Sequence, residues 1–175
     1  MIRWINGKRK TDLSTETEAL RAEIEALIGR FKTVQFACVS EDNEPLASYA
    51  PFVRQDGDFY IYVSALAPHT TCLKTTPVAS LLFIEEEQTS RNLFARLRLI
   101  LQCSVEEVGR GSADYEEVLD RFADKFGPTI AMLRQLPDFS LLKLEITSGR
   151  FVKGFGAAYT VTDKAFNQLQ QIIGK

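Results

Sequence analysis

The chain has 175 residues, 45% hydrophobic and 25% charged, with a formal net charge of −2. Such a chain can bury the core of one globular domain. Its charge argues against nucleic acid as the main partner, and no apolar run reaches the roughly 18 residues of a membrane span. The opening MIRWINGKRKTD has no apolar h-region, which predicts no secretory signal. Three scattered cysteines, Cys38, Cys72 and Cys103, form neither a disulfide framework nor a zinc pattern. A cytoplasmic setting is the expectation.

Leu20, Ile24, Leu27 and Ile28 recur at helical spacing and predict a helix over residues 15–30, capped by Ser14 or Thr15. Strands follow at 33–40, 46–55 and 59–64, the last two separated by the turn signal Asp56-Gly57. Residues 66–77 read as a short helix, with Pro68 in its first turn and Thr76 before Pro77 at its end. VASLLFIEE (78–86) is apolar on both faces, as a central strand would be. RLRLILQCSVEEV (96–108) alternates, with Leu97, Leu99, Leu101, Cys103 and Val105 inward. Tyr115, Val118, Leu119, Phe122 and Phe126 make a helical stripe within 112–134, broken at Gly127-Pro128.

The final pair of strands is expected at 139–147 and 151–161, turning at Ser148-Gly149, before a short helix over 163–173 marked by Phe166, Leu169 and Ile173. In FVKGFGAAYTV (151–161), strand alternation puts Val152, Gly154, Gly156, Ala158 and Thr160 on one nearly smooth face. Glycine inside a strand costs stability. Either the strand bends there at a barrel corner, or a flat ligand or second subunit approaches closely. Strands joined mostly by tight turns predict a mainly β, α+β chain folded as an antiparallel barrel.

The lone histidine, His69, rules out paired-histidine metal sites and limits any Ser-His-Asp triad to itself. No Gly-x-Ser-x-Gly elbow or phosphate-binding P-loop is present, and GFGAAY lacks the third glycine of a dinucleotide site. The run Glu85-Glu86-Glu87 reads as a solvated strand end. Two clusters could hold an anion. Ser64, His69 and Thr70 lie at the start of the 66–77 helix, where free N–H groups collect phosphate or carboxylate; the alternative is simple capping. Arg91, Arg96 and Arg98 gather around Phe94, where a solvated outer face is the alternative.

FACVSEDNEPLASYAPFV, HTTCLKTTPVASLLFIEEE, LFARLRL, DFSLLKLE and GRFVKGFGAAY occur in that order. Together they resemble the HugZ/HutZ-type haem-utilisation proteins, a branch of the pyridoxamine-5′-phosphate-oxidase-like, FMN-binding split barrels. The resemblance implies a six-stranded split barrel in one domain spanning residues 1–175. It also implies a homodimer, with FMN or haem bound in a cleft between subunits. Relatives that bind flavin show Ser-x-Lys-x-x-x-Leu-x-x-x-Pro, whose lysine meets the FMN phosphate. His69 stands at that lysine's position, ahead of Leu73 and Pro77. Cofactor contacts are therefore expected from Ser64, His69, Thr70, Arg96 and Arg98, and from Lys153, Gly154, Phe155 and Gly156. Haem-degrading members use an axial histidine in a C-terminal tail. This sequence ends NQLQQIIGK, with no histidine there, so His69 could coordinate haem iron only in a different pose, which counts against haem breakdown in the family's manner. An oxidoreductase, haem-degrading or FMN-dependent, and a non-catalytic cofactor carrier are the competing expectations.

Overall fold

A computed structural model describes residues 5–173, with side chains from Thr15 onward. The strands are β1 (Thr33–Val39), β2 (Pro45–Gln55), β3 (Asp58–Ser64), β4 (Val78–Ile84), β5 (Arg98–Val108), β6 (Phe139–Gly154), β7 (Ala157–Val161) and β8 (Leu169–Gln171). The helices are α1 (Ile5–Gly29), α2 (Pro68–Thr75), α3 (Ala113–Phe126) and α4 (Thr129–Leu133). The sheet runs β3-β2-β1-β4-β5-β6-β7-β8, and the pairing of β3 with β6 closes its first six strands into an antiparallel barrel. β6 stays beside β5 along its length. Its first half also pairs with β3, from Phe139↔Ser64 to Leu144↔Phe59, and its second half leaves the barrel to pair with β7. That divergence is the split.

Alternation fills the barrel. Val34, Phe36, Phe52, Phe59, Ile61, Leu81, Phe83, Leu99, Leu101, Leu144 and Phe151 are buried in one cluster, with Leu20, Ile24, Leu27 and Ile28 of α1 against it. β3 is buried on both faces. Its Phe59, Ile61 and Val63 point inward, while Tyr60 and Tyr62 join Val118, Leu119 and Phe122 of α3 in a second cluster outside the barrel. Ser112 caps α3 by accepting from the Tyr115 N–H, and Gly127 at φ 76° ends it before α4.

Three expectations are corrected. First, α1 spans Ile5–Gly29, so Ser14 and Thr15 lie inside the helix and not at its N-terminus. INGKRKTDLS holds the weak helix formers Asn6, Gly7, Thr11, Asp12 and Ser14 but no proline, too little to stop propagation from a well-packed helix.

Second, Ser148-Gly149 is not a turn. β6 runs straight through it, the extra residue Thr147 is absorbed as a bulge opposite Gln102 and Cys103, and the hairpin turns at Phe155-Gly156. Gly156 takes φ +70°, and a Cβ added at Gly154 or Gly156 would meet nothing within 4 Å. The close approach falls instead at Gly149, where a Cβ would lie 2.7 Å from Leu101 Cδ2 and 2.8 Å from the Ile100 carbonyl oxygen. The two turn glycines supply backbone freedom, so the smooth strand face does not exist.

Third, no helix forms over 163–173. The Asp163 carboxylate accepts from the Asn167 and Gln168 N–H groups, Phe166 takes φ 55° and drives its ring into the core, and the chain returns as β8 against β7. Local side-chain bonding outcompetes the helix.

Candidate functional site

The outer face of the barrel is uneven. α3 and α4 cover β3 and its neighbours, whereas among the described residues no helix covers β1, β4 and β5 on that side. Strand register lays a row of side chains across this bare face: Tyr49, Gln35, Leu82, Ile100 and Arg150, from β2 through β1, β4 and β5 to β6. Tyr49 is 65% exposed, and Leu82 and Ile100 are only half-buried. The next row, Ala47, Ala37 and Ser80, is built from small residues. That difference in side-chain size opens a groove of about 270 Å3, floored by Ala37, Ala47, Ser48, Ser80, Leu82 and Ile100.

His69 stands behind one end of this groove. Its Nδ1 lies 2.7 Å from the Ser48 hydroxyl, and its ring meets Phe36 edge-on, with centroids 5.4 Å apart. Burial pushes its pKa below the ordinary histidine value, so the imidazole is neutral at pH 7. With one ring nitrogen held by Ser48, the other is left for a metal or an anion. That nitrogen would serve as a ligand to iron if haem were bound here. For a phosphate it offers a neutral hydrogen bond in place of a lysine's charge.

Ser64 and Thr70 are spent locally. The Ser64 hydroxyl donates to Asp138 at 2.6 Å and accepts from the Leu66 N–H, while buried Thr70 donates to the Ser64 carbonyl at 2.6 Å. They fix where α2 begins, and no side chain caps that helix. They hold the element that carries His69.

The remaining expected contacts lie at the far end of β4 and β5. Arg96 clamps the loop after β4: its Nε and Nη2 donate to the Glu85 carbonyl, and Nη1 pairs with Glu87 at 3.3 Å. Lys153 pairs with Glu23 of α1 at 2.6 Å. Gly154 and Phe155 wall a shallow cavity with Glu85, Arg91, Asn92 and Lys153, and Phe155 is 74% exposed. Arg98 faces outward at the start of β5, two residues from Ile100, and spends one Nη1 donor on the Arg96 carbonyl. Strand register puts Arg98 and exposed Arg150 on the same outer face as Ile100 of the groove.

Within one chain, then, the expected residues form two groups. Ser64, His69 and Thr70 belong to the α2 end, and Arg96, Arg98 and Lys153 to Gly156 to the other. Sequence reasoning missed Ser48, Arg150 and the groove floor. The signal was present in the alternation: if Leu99 and Leu101 point inward, Arg98, Ile100 and Gln102 must point out. Cys38 and Cys103 are held as thiols. Burial first, then Cys72, pushes Cys38 up to about 11, and burial pushes Cys103 up to about 12.

Fold and face together define a split barrel of the pyridoxamine 5′-phosphate oxidase family, and residues 20–153 match that family. The chain belongs to it, within the HutZ-like haem-utilisation branch. It is 37% identical over 155 residues to the haem oxygenase HutZ of Vibrio cholerae, covering 86% of this chain and 88% of that one. The crystal structure of HutZ, described as a haem storage protein from Vibrio cholerae, aligns at TM-score 0.68 and 34% identity over 71% of this chain and 88% of that one. Campylobacter jejuni ChuZ aligns at TM-score 0.77 and 30% identity over 89% of this chain, which spans 63% of that structure.

Proposed function

We propose that this protein binds haem for haem-iron utilisation, in a homodimer whose subunits meet over the bare β1–β4–β5 face and complete the site between them. The observation that carries the reading is the likeness to HutZ, 37% identity across 86% of the chain. The site supports it physically. A neutral imidazole at one end and arginines at the other are the donors for iron and for propionates, with apolar Ala37, Leu82 and Ile100 between. Neither group alone surrounds a cofactor, so a second copy supplying the opposite group makes a complete cleft. His69 and Arg98 contact the cofactor. Ser64, Thr70, Arg96 and Lys153 position the elements around it, and the Gly154–Gly156 turn borders it. The cytoplasm is the proposed compartment, where buried, unpaired Cys38, Cys72 and Cys103 stay reduced.

FMN is the second reading, favoured by the family match over residues 20–153. Titrating haem and FMN separately into wild type and His69→Lys decides between them. The proposal predicts a saturable Soret band with wild type and weak FMN binding. The alternative predicts saturable flavin bands, no haem spectrum, and FMN affinity rising roughly tenfold or more in His69→Lys, since one charge-assisted hydrogen bond is gained. Adding a reductant and oxygen to the haem complex reads turnover: bleaching of the Soret band marks an oxidoreductase, and a stable band marks a carrier.

A further inference from the structure

A second cleft, outside the haem reading, lies between α1, β2 and the end of α3. It holds about 350 Å3 and is lined by Glu25, Phe31, Lys32, Phe52, Arg54 and Lys125, among others. Its charges do not balance. Glu25 is matched by Arg54 at 2.6 Å, and among the described residues neither Lys32 nor Lys125 has a carboxylate within ion-pair distance. The Lys125 ammonium is held over the Phe52 ring, 4.1 Å from its centroid, and donates to the Phe52 carbonyl at 2.9 Å. Arg54 is clasped between Phe59 and Phe166, at 4.9 and 5.4 Å, and its buried Nε has no partner. Burial, and then Lys32 nearby, push the Lys125 pKa down.

Three cations, Lys32, Arg54 and Lys125, face one cavity with only Glu25 to balance them, leaving a net positive cleft. A carboxylate in the cleft would neutralise this excess positive charge. Phe31 and Phe52 give the same cavity flat apolar walls, and its volume sits at the small end of ligand pockets. We propose that the cleft binds a small aromatic carboxylate, its ring against Phe31 and Phe52 and its carboxylate among Lys32, Arg54 and Lys125. A bound carboxylate offsets the desolvation of Lys125 and its repulsion by Lys32, while the ring uses wall area that a bare inorganic anion leaves wet.

The test is a nuclear magnetic resonance titration of the full chain with benzoate, against acetate as the ringless control. Benzoate should shift the amides of Phe31, Lys32, Arg54 and Lys125 saturably, with acetate weaker by about tenfold. Lys125→Met should weaken benzoate by about tenfold or more. Lys32→Gln, an exposed change that does not threaten folding, should weaken it to a smaller extent and decides the matter if Lys125→Met does not fold. Haem at saturation should leave the benzoate shifts in place. Shifts that never saturate, equal affinity for acetate, unchanged benzoate affinity in both variants, or displacement of benzoate by haem would each overturn the proposal.

Discussion

Two sides of the same barrel are finished differently. On the β3 side, α3 and α4 lie over Val53, Tyr60, Tyr62 and Leu141 and bury every one of them. On the β1–β4–β5 side, Leu82 and Ile100 stay half-buried, Tyr49 stays largely exposed, and small residues leave a groove. An outward-facing apolar side chain on the first side contributes to the stability of one chain. On the second side no described helix covers it. The difference separates residues that hold the monomer together from residues available to a partner and a ligand.

The sealed side predicts the largest loss of stability. Phe122→Ala removes a ring that is 1% exposed and stacks on Phe126 at 5.7 Å. It should cost about 3–5 kcal/mol in urea unfolding. A cost near zero would mean that α3 is not docked as described and that the two sides are alike.

Inside the barrel, Gly149→Val should cost about 2–3 kcal/mol by overpacking, because its Cβ meets Leu101 and the Ile100 carbonyl. Gly156→Ala, in open space at φ +70°, should cost only about 1 kcal/mol, through backbone strain alone. Reversal of that order in thermal melts would restore the reading that the turn glycines exist for close approach.

These glycines also mark where the sequence was legible. Alternation in RLRLILQCSV and the stripe from Tyr115 to Phe126 determined β5 and α3 because each pattern reports burial on one face. The barrel and its family were readable on that basis together with the ordered motifs. The turn at Phe155-Gly156 was not, because Ser148-Gly149 carries an equally good turn signal. Only the contact between Gly149 and Leu101 decides between them, and that contact is made between strands more than 40 residues apart in sequence. Phe166, at helical spacing with Leu169 and Ile173, misled for a local reason instead, since Asp163 binding two N–H groups is a competitor that periodicity does not register.

At the α2 end the site was half legible: His69 stood out as the only histidine, but its partner Ser48 is 21 residues away on another strand. The smallest expected effect concerns this pair. Burial lowers the folded-state pKa of His69, so the unfolded chain takes up a proton first. Its contribution is therefore fully present above the unfolded value of about 6.5 and is lost as pH falls through that value toward the folded one. Wild-type stability should decline between about pH 7 and pH 5 more than that of His69→Asn. Identical profiles would mean that the imidazole is solvated and not held against Phe36 and Ser48.

The central claim is that the bare face brings two copies together around haem, and one substitution tests it. Leu82→Arg places a charge in the middle of that face, on a side chain the monomer core does not use. Light scattering after size exclusion and a haem titration on the same samples give the answer. The account predicts wild type at twice the mass of one chain with a saturable Soret band, and Leu82→Arg folded, at the 19.7 kDa of one chain, with haem binding lost. A folded, monomeric Leu82→Arg that binds haem as tightly as wild type would contradict it.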